Sequence, residues 1–277
     1  MTDMLQVEGL NVSFPTREGP RRVVRDVGFN LGRERLGIVG ESGSGKSQTG
    51  RAILGLTPAA GTVTAQRLEF EGIDLRKAST KTWRSLRGPR MSMIMQDPKY
   101  SLNPVMTIGR QIVEAFARRG KTSRSQAKDA AIAMLEAVQI RNAERVFNAY
   151  PHELSGGMGQ RAMIAMMLIA EPDLLIADEV TSALDVTVQL DVLRILDDLV
   201  RDRGMGLIFI SHDLRLVSSF CDRVMVMYAG RVVEEIAARD LHNARHPYTQ
   251  GLLNCLPKID GDRAPLQTLT RDPEWLA

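Results

Sequence analysis

The stretch GESGSGKS has the residue types and spacing that point most directly to chemistry. Its glycines let consecutive backbone N–H groups turn inward around an anion, and the lysine adds a positive charge beside them. The serine hydroxyl is an oxygen ligand of the kind that Mg²⁺ takes. The pattern G-x-x-x-x-G-K-S therefore predicts a loop that cradles nucleotide phosphates. The predicted nucleotide-binding residues are Gly40, Glu41, Ser42, Gly43, Ser44, Gly45, Lys46, Ser47 and Gln48.

A second candidate lies in LLIADE, an apolar run that ends in Asp178 and Glu179. Neighbouring strand residues face opposite sides, but at the end of a strand both can reach the mouth of the sheet, where α/β proteins bind ligands. We expect Asp178 to hold Mg²⁺ through water, and Glu179 to orient or deprotonate an attacking water. The alternative is that the two acids merely cap a buried strand.

Two further polar residues follow apolar runs. Gln96 ends MSMIMQ, and its amide could touch both Mg²⁺ and the water, although exposed glutamines are common. His212, in FISHDL, could donate a hydrogen bond to a γ-phosphate, although a lone histidine there is more often a core or capping residue.

Another glycine-rich run stands at the predicted start of a helix, in PHELSGGMGQR. Ser155, Gly156 and Gly157 would present free N–H groups and the positive end of the helix dipole to an anion. The alternative is a plain serine N-cap. Because the chain already has a phosphate loop far upstream, the two sites need not meet within one molecule.

The elements that position these residues alternate between strands and helices, which favours an α/β core with a mostly parallel sheet. The segment of about 104–170 has helical periodicity and little strand signal, so we expect a helical lobe there. The predicted strands are RLGIVG, MSMIMQ, DLLIADE and GLIFISHD, and the predicted helices are GKSQTGRAILGL, IGRQIVEAFARR, SQAKDAAIAMLEAVQI and VTVQLDVLRILDDLVRD.

Composition narrows the class of protein. The 277 residues are 44% hydrophobic and carry a net charge of +3, which suits an acidic partner, an anionic membrane surface or an ordinary soluble protein. No apolar run reaches the roughly 18 residues of a membrane span, and the N-terminus does not resemble a signal peptide. Cys221 and Cys255 form no CxxC pair, so we expect a reduced, cytosolic setting.

The order of these motifs resembles that of an ATP-binding-cassette (ABC) ATPase. The resemblance implies that two cassettes face head to tail and that each signature loop closes over ATP held by the other subunit. It also implies that Phe14 stacks on adenine, although this ring could equally be core. The residues it assigns are Ser155, Gly156, Gly157 and Gln160 in the signature loop, Ser182 and Asp185 in SALD as the D-loop, Glu179, His212 and Gln96 in catalysis, and Ser47, Gln96 and Asp178 on Mg²⁺.

The same resemblance implies the fold class, an α/β P-loop NTPase domain with a mostly parallel core sheet, an antiparallel β subdomain and an inserted helical subdomain. We expect residues 1–255 to form the ATPase domain, with the helical subdomain at about 104–170. Residues 256–277 would form a short C-terminal tail.

A narrower resemblance rests on MIMQDPKYSLNP, LSGGMGQRAMIA and RHPYTQGLLNCLP. These look like the ATPases of oligopeptide, dipeptide and nickel importers. The resemblance implies ATP and Mg²⁺ as cofactors and a peripheral position on the cytoplasmic face of the membrane. The implied partners are a second, non-identical cassette, two integral membrane permease subunits and, indirectly, an extracytoplasmic solute-binding protein, with no nucleic acid.

Two departures from that family stand out. Val180 replaces the proline that usually follows the catalytic glutamate, which would loosen that turn. The tail has only Cys255 where many relatives have a cysteine-rich segment, so we expect no iron–sulfur cluster. Two alternatives remain open. One is a cassette of a soluble assembly, such as a carbon–phosphorus lyase accessory protein. The other is a DNA-repair or chromosome-organising ATPase, although the coiled coils or zinc sites of that class have no counterpart in this sequence.

Overall fold

A computed structural model describes residues 3–95, 101–120, 122–180, 186–256 and 275 of the chain. The chain divides into two compact units. The first comprises Met1–Arg76 and Phe209–Ala277, and the second comprises Lys77–Ile208. The predicted helical segment of about 104–170 lies within the second unit.

The elements follow one another in an order that mixes strands and helices. The strands are β1 (Leu5–Thr16), β2 (Gly19–Leu31), β3 (Arg35–Val39), β4 (Thr62–Thr64), β5 (Arg67–Phe70), β6 (Ile73–Asp74), β7 (Met91–Ile94), β8 (Leu174–Asp178), β9 (Gly206–Ile210), β10 (Arg223–Tyr228) and β11 (Arg231–Ala237). The helices are α1 (Lys46–Ile53), α2 (Thr80–Leu86), α3 (Ile108–Ala117), α4 (Arg124–Ala137), α5 (Ala143–Asn148), α6 (Gly156–Leu168), α7 (Val186–Arg203), α8 (Leu214–Phe220) and α9 (Pro247–Asn254).

An antiparallel sheet forms the N-terminal part of the first unit. Its strands lie in the order β2-β1-β5-β6, and β4 also pairs with β1. Val7 pairs with Phe29, and both side chains are buried, as the alternation of apolar and polar residues predicts. This sheet is the predicted antiparallel β subdomain.

A second group of strands in the first unit leads into the phosphate loop. β3 pairs in parallel with β10, and β10 pairs antiparallel with β11. At the start of β3 the Arg35 guanidinium bonds the Asp222 carboxylate, with Nη2 3.0 Å from Oδ1. The Arg35 backbone N–H donates to the same carboxylate at 2.8 Å. These contacts hold β3 beside β10 where β3 begins, so that its other end opens into the glycine loop.

The second unit contains the other parallel pair, β7 with β8, and most of the helices. Arg90 precedes β7 and Asp173 precedes β8, and their side chains form an ion pair at 2.7 Å that aligns the two strands. The described part of 104–170 contains helices α3 to α6 and a short 3₁₀ helix at Pro151–Glu153. Two parallel pairs, an antiparallel sheet and a helical segment confirm the predicted α/β class.

Helix boundaries follow local capping chemistry. α4 begins with a capping box, in which Gln126 N–H donates to Ser123 Oγ and Ser123 N–H donates to Gln126 Oε1, both at 3.2 Å. α1 ends before Gly55, which has φ +60° and donates its N–H to the Ala52 carbonyl. Within the described ranges, no helix has both the length and the apolar character needed to cross a bilayer.

Candidate nucleotide site

The phosphate loop lies between β3 and α1 in the first unit, as the sequence predicts. Gly45 is the N-cap of α1, and Lys46 is its first residue. The Lys46 side chain is buried, and its Nζ donates to the Gly40 carbonyl at 2.7 Å and to the Glu41 carbonyl at 2.9 Å. These two hydrogen bonds hold the ammonium inside the loop, which is where a bound anion would require a positive charge.

Two glycines of this loop are required by the fold. Gly40 has φ +147° and Gly45 has φ +101°, a backbone region that L side chains rarely adopt. A Cβ on Gly40 would lie 2.1 Å from the Met227 carbonyl oxygen, and one on Gly45 would lie 2.6 Å from the Val23 carbonyl oxygen. Any larger residue would therefore clash with backbone of the same unit.

Hydrogen bonds from neighbouring segments fix the loop. Thr49 Oγ1 donates to the Gly45 carbonyl at 3.0 Å, and the Gly230 N–H donates to the Ser44 carbonyl at 3.0 Å. Two buried side-chain oxygens, Ser44 Oγ and Gln48 Oε1, have no hydrogen-bond partner among the described residues. Buried polar atoms are costly to leave unpaired, so these two fit a loop whose polar groups are completed by a phosphate and its water.

The acidic strand end lies in the second unit. Asp178 is the last residue of β8 and is 2% exposed. Glu179 follows with φ +51°, an uncommon conformation for a residue other than glycine. Val180 is fully buried, so the chain turns inward directly after the glutamate.

The signature segment begins α6, in the same unit as the acidic strand end. Ser155 is exposed and is the N-cap of α6, and its Oγ accepts from the Met158 N–H at 3.4 Å. This is the serine cap that the sequence offers as an alternative. A Cβ on Gly156 or Gly157 would meet no atom within 4 Å. The first turn of α6 is therefore both capped and open on its outer side.

Gln160 is placed differently from the other signature residues. Its side chain is 1% exposed, and Nε2 donates to the Val180 carbonyl within the same unit. The expectation that Gln160 faces the ATP of another subunit is therefore corrected for this structure. Gln160 lies more than one helical turn beyond Ser155, on the inward side of α6.

Phe14 and His212 both lie in the first unit. Phe14 is partly exposed in β1 rather than buried in the core, and a Cβ on Gly61 would lie 2.7 Å from its ring. His212 is exposed just beyond β9. The neighbouring Asp213 is the N-cap of α8, accepting from Arg215 and Leu216 N–H groups. His212 is therefore neither a core residue nor the N-cap of α8, which are the two alternatives to a role at the γ-phosphate.

Three predicted residues, Gln96, Ser182 and Asp185, lie outside the described residues. The phosphate loop, Phe14 and His212 belong to the first unit, and the acidic strand end and the signature segment belong to the second.

One residue of the site is absent from the sequence prediction. The Tyr248 hydroxyl accepts a hydrogen bond from the Glu41 N–H at 3.0 Å, inside the phosphate loop. The sequence does single out HPYTQ, the segment that contains Tyr248, but only as a mark of resemblance. A buried tyrosine needs a partner for its hydroxyl, and Tyr248 is fully buried. Because Tyr248 is the one tyrosine of HPYTQ, it is the residue of the sequence that could have indicated this contact.

Comparison with known proteins gives a family match over more than half of the chain. The family model described as ABC transporter matches residues 24–182.

Curated relatives match almost the whole chain. The oligopeptide transport ATP-binding protein OppD of Salmonella typhimurium is 44% identical over 98% of this chain and 81% of its own length. The dipeptide transport ATP-binding protein DppD of Bacillus subtilis is 44% identical over 99% of this chain and 82% of its own length.

A solved structure supports the fold. A dimeric ATP-binding cassette in a post-hydrolysis state with ADP and phosphate matches with a TM-score of 0.78 at 24% identity, over 85% of this chain and 99% of that chain.

Proposed function

Because the chain belongs to the ABC transporter family, we propose that it is the ATP-hydrolysing subunit of an importer for peptides or related small solutes. Its activity is that of an ATPase. The observation that carries the substrate class is the identity of 44% to oligopeptide and dipeptide transport proteins over nearly all of the chain.

ATP is held by the phosphate loop in this proposal. Lys46 places its buried ammonium on the β- and γ-phosphates, and backbone N–H groups of the loop surround the β-phosphate. Ser44 Oγ, which is buried and has no hydrogen-bond partner within the described part of the chain, donates to a phosphate oxygen. The partly exposed ring of Phe14 stacks on adenine.

Mg²⁺ fits the chemistry of the predicted donors. Ser47, Asp178 and Gln96 offer hydroxyl, carboxylate and amide oxygens, which are the hard ligands that this ion prefers. When bound, the ion neutralises charge on the β- and γ-phosphates.

Hydrolysis is assigned to Glu179, with His212 donating to the γ-phosphate. A carboxylate beside the attacking water acts as a general base, or orients that water for in-line attack. Burial of Val180 and the hydrogen bond to its carbonyl from Gln160 support this role, because these contacts hold the backbone beside Glu179 although the chain has valine in place of the usual proline.

The signature segment completes a site on a second cassette. Ser155, Gly156 and Gly157 are exposed or partly exposed at the N-terminus of α6, where N–H groups and the helix dipole favour an anion. The open space around both glycines supports an approach by another subunit's ATP. Ser182 and Asp185 of the D-loop would lie at the same junction.

The remaining partners follow from the proposed role. Two membrane permeases would receive the helical subdomain of about 104–170, and a solute-binding protein would deliver the cargo to them. The ATPase would sit on the cytoplasmic face of the membrane as a peripheral subunit, beside a non-identical second cassette.

Purification from the native host tests this function. We expect two membrane permeases and a different cassette to copurify with this chain, and peptide-loaded binding protein to stimulate ATP hydrolysis by the complex in proteoliposomes. Recovery of soluble enzymes in place of permeases would contradict the importer. Permeases recovered with this chain as their one cassette would contradict the non-identical partner, and acid-labile sulfide in the purified chain would contradict the expected absence of a cluster.

A further inference from the structure

The segment Arg245–Gln250 reaches the phosphate loop, although the proposed mechanism gives it no part. Its residue Tyr248 is fully buried, and its hydroxyl lies 3.0 Å from the Glu41 backbone nitrogen. The two residues are 207 positions apart and belong to the same compact unit.

The peptide group between Gly40 and Glu41 is held from both ends. Its N–H, on Glu41, donates to the Tyr248 hydroxyl, and its carbonyl, on Gly40, accepts from Lys46 Nζ at 2.7 Å. Because the peptide group is planar, fixing the direction of the N–H also fixes the direction of the carbonyl. By fixing this peptide group, Tyr248 determines the position of the Gly40 carbonyl, which is one of the two loop carbonyls that accept a hydrogen bond from the Lys46 ammonium.

Local chemistry presents Tyr248 to the loop. His246 is the N-cap of α9, and its Nδ1 accepts from the Tyr248 N–H at 3.1 Å. Pro247 occupies the first position of the helix, where its missing N–H costs nothing. The Glu234 carboxylate accepts from the backbone N–H groups of Arg245 and His246, which anchors the approach to the helix.

An aromatic cluster holds the tyrosine ring. The Tyr228 ring lies 4.5 Å from the Tyr248 ring between centroids, and the Trp275 ring lies 5.7 Å from each of them. Tyr228 belongs to β10, the strand that pairs with β3 before the phosphate loop. Packing on two sides restricts the ring and so directs its hydroxyl at Glu41.

We propose that Tyr248 is a positioning residue for ATP binding, which sets the orientation of the Gly40–Glu41 peptide and through it the place of the Lys46 ammonium. The inference rests on the assignment of ATP to the phosphate loop and is independent of the transported solute. It gives the HPYTQ segment a part in nucleotide binding rather than in cargo recognition.

The test compares two tyrosine-to-phenylalanine variants of the full chain. Tyr248→Phe keeps the ring and removes the hydroxyl, and Tyr228→Phe removes a hydroxyl from the same cluster. We expect Tyr248→Phe to weaken ATP binding about tenfold, because the partly buried Glu41 N–H loses the hydroxyl that fixes the Gly40–Glu41 peptide beside the Lys46 ammonium. We expect Tyr228→Phe to leave the Kd for ATP within about twofold of wild type, because none of its hydrogen bonds joins the phosphate loop among the described residues.

Steady-state kinetics separates positioning from a general loss of structure. In the assembled complex, Tyr248→Phe should raise the KM for ATP about tenfold while kcat stays close to wild type and Tm falls by no more than a few degrees. A second variant, Trp275→Ala, leaves the hydroxyl in place but loosens the ring, and we expect about a threefold rise in KM.

Three results would overturn the inference. ATP affinity that is unchanged in Tyr248→Phe would remove the role of the hydroxyl. Equal losses in Tyr248→Phe and Tyr228→Phe would assign the effect to packing of the cluster. A wild-type chain that fails to bind ATP would refute the nucleotide assignment itself, whereas normal ATP binding without peptide-stimulated turnover would contradict the importer and leave the inference standing.

Discussion

The two glycine-rich segments of this chain differ in why they contain glycine. In the phosphate loop, Gly45 has φ +101°, and a Cβ there would lie 2.6 Å from the Val23 carbonyl oxygen. In the signature segment, Gly156 has ordinary helical geometry, and a Cβ there would meet no atom within 4 Å. The fold requires glycine in the first segment and is indifferent to it in the second.

That difference indicates where each segment acts. Where the fold itself requires glycine, as at Gly45, contacts within the chain are enough to explain why the residue is glycine. A glycine at the start of a helix costs up to about 1 kcal/mol relative to alanine, so its presence at Gly156 points to something outside the chain that needs the space. The phosphate loop is therefore organised by its own unit, and the open space at Gly156 supports the proposal that the signature segment serves a partner.

Glu179→Gln has the largest expected effect, since it removes the proposed base while leaving both glycine segments intact. Turnover in the assembled complex should fall by about 10²–10³-fold with ATP affinity retained. Glu8→Gln, which breaks an exposed ion pair with Arg67 outside the helical subdomain, is the matched control and should keep normal turnover. Normal steady-state ATPase activity in Glu179→Gln would remove this residue from catalysis.

Replacing glycine with alanine in each of the two segments tests directly whether the fold requires glycine in the first and not in the second. Gly45→Ala should lower the free energy of unfolding by about 2 kcal/mol and abolish high-affinity ATP binding, because it combines strain with a clash. Gly156→Ala should leave the free energy of unfolding unchanged or raise it by up to about 1 kcal/mol. Denaturant unfolding of the isolated chains measures both, and equal destabilisation would contradict the distinction.

A smaller effect is expected where the signature helix meets the acidic strand end. Gln160→Met keeps the length of the side chain but leaves the Val180 carbonyl without the amide. We expect the free energy of unfolding to fall by about 1–2 kcal/mol. Turnover should fall by about tenfold with little change in the KM for ATP, because the backbone beside Glu179 loosens.

Gln6→Met is the control for that measurement, since it removes an exposed hydrogen bond to Asp3 outside the helical subdomain. We expect it to change the free energy of unfolding by less than about 0.5 kcal/mol and to keep normal turnover. A Gln160→Met variant that loses stability but keeps full turnover would make Gln160 a structural residue without influence on Glu179.

The sequence predicts those parts of the fold that depend on residues close together in the chain. The phosphate loop follows β3 and opens α1 within a few residues, so motif and context coincide. β8, β9 and α7 likewise match their apolar patterns closely. Local patterns also identify Ser155 as a helix cap.

Contacts between distant segments account for what the sequence does not reveal. The sequence patterns predict neither β10 nor β11, and the parallel pairing of β10 with β3 joins residues far apart in the chain. The Tyr248–Glu41 bond is non-local in the same way. The motif places Gln160 in the signature loop, whereas the helical phase of α6 directs its side chain inward to the Val180 carbonyl.

The central claim, that the signature segment serves a partner while the phosphate loop serves its own chain, is tested most directly with Gly156→Asp. The added carboxylate would face another subunit's γ-phosphate, in space that the chain itself leaves open. We expect the isolated variant to bind ATP with the Kd of the wild-type chain, and the assembled complex to lose ATP hydrolysis. If the isolated variant lost its ATP affinity, the signature segment would act on its own chain's nucleotide, and the two-subunit account would be wrong.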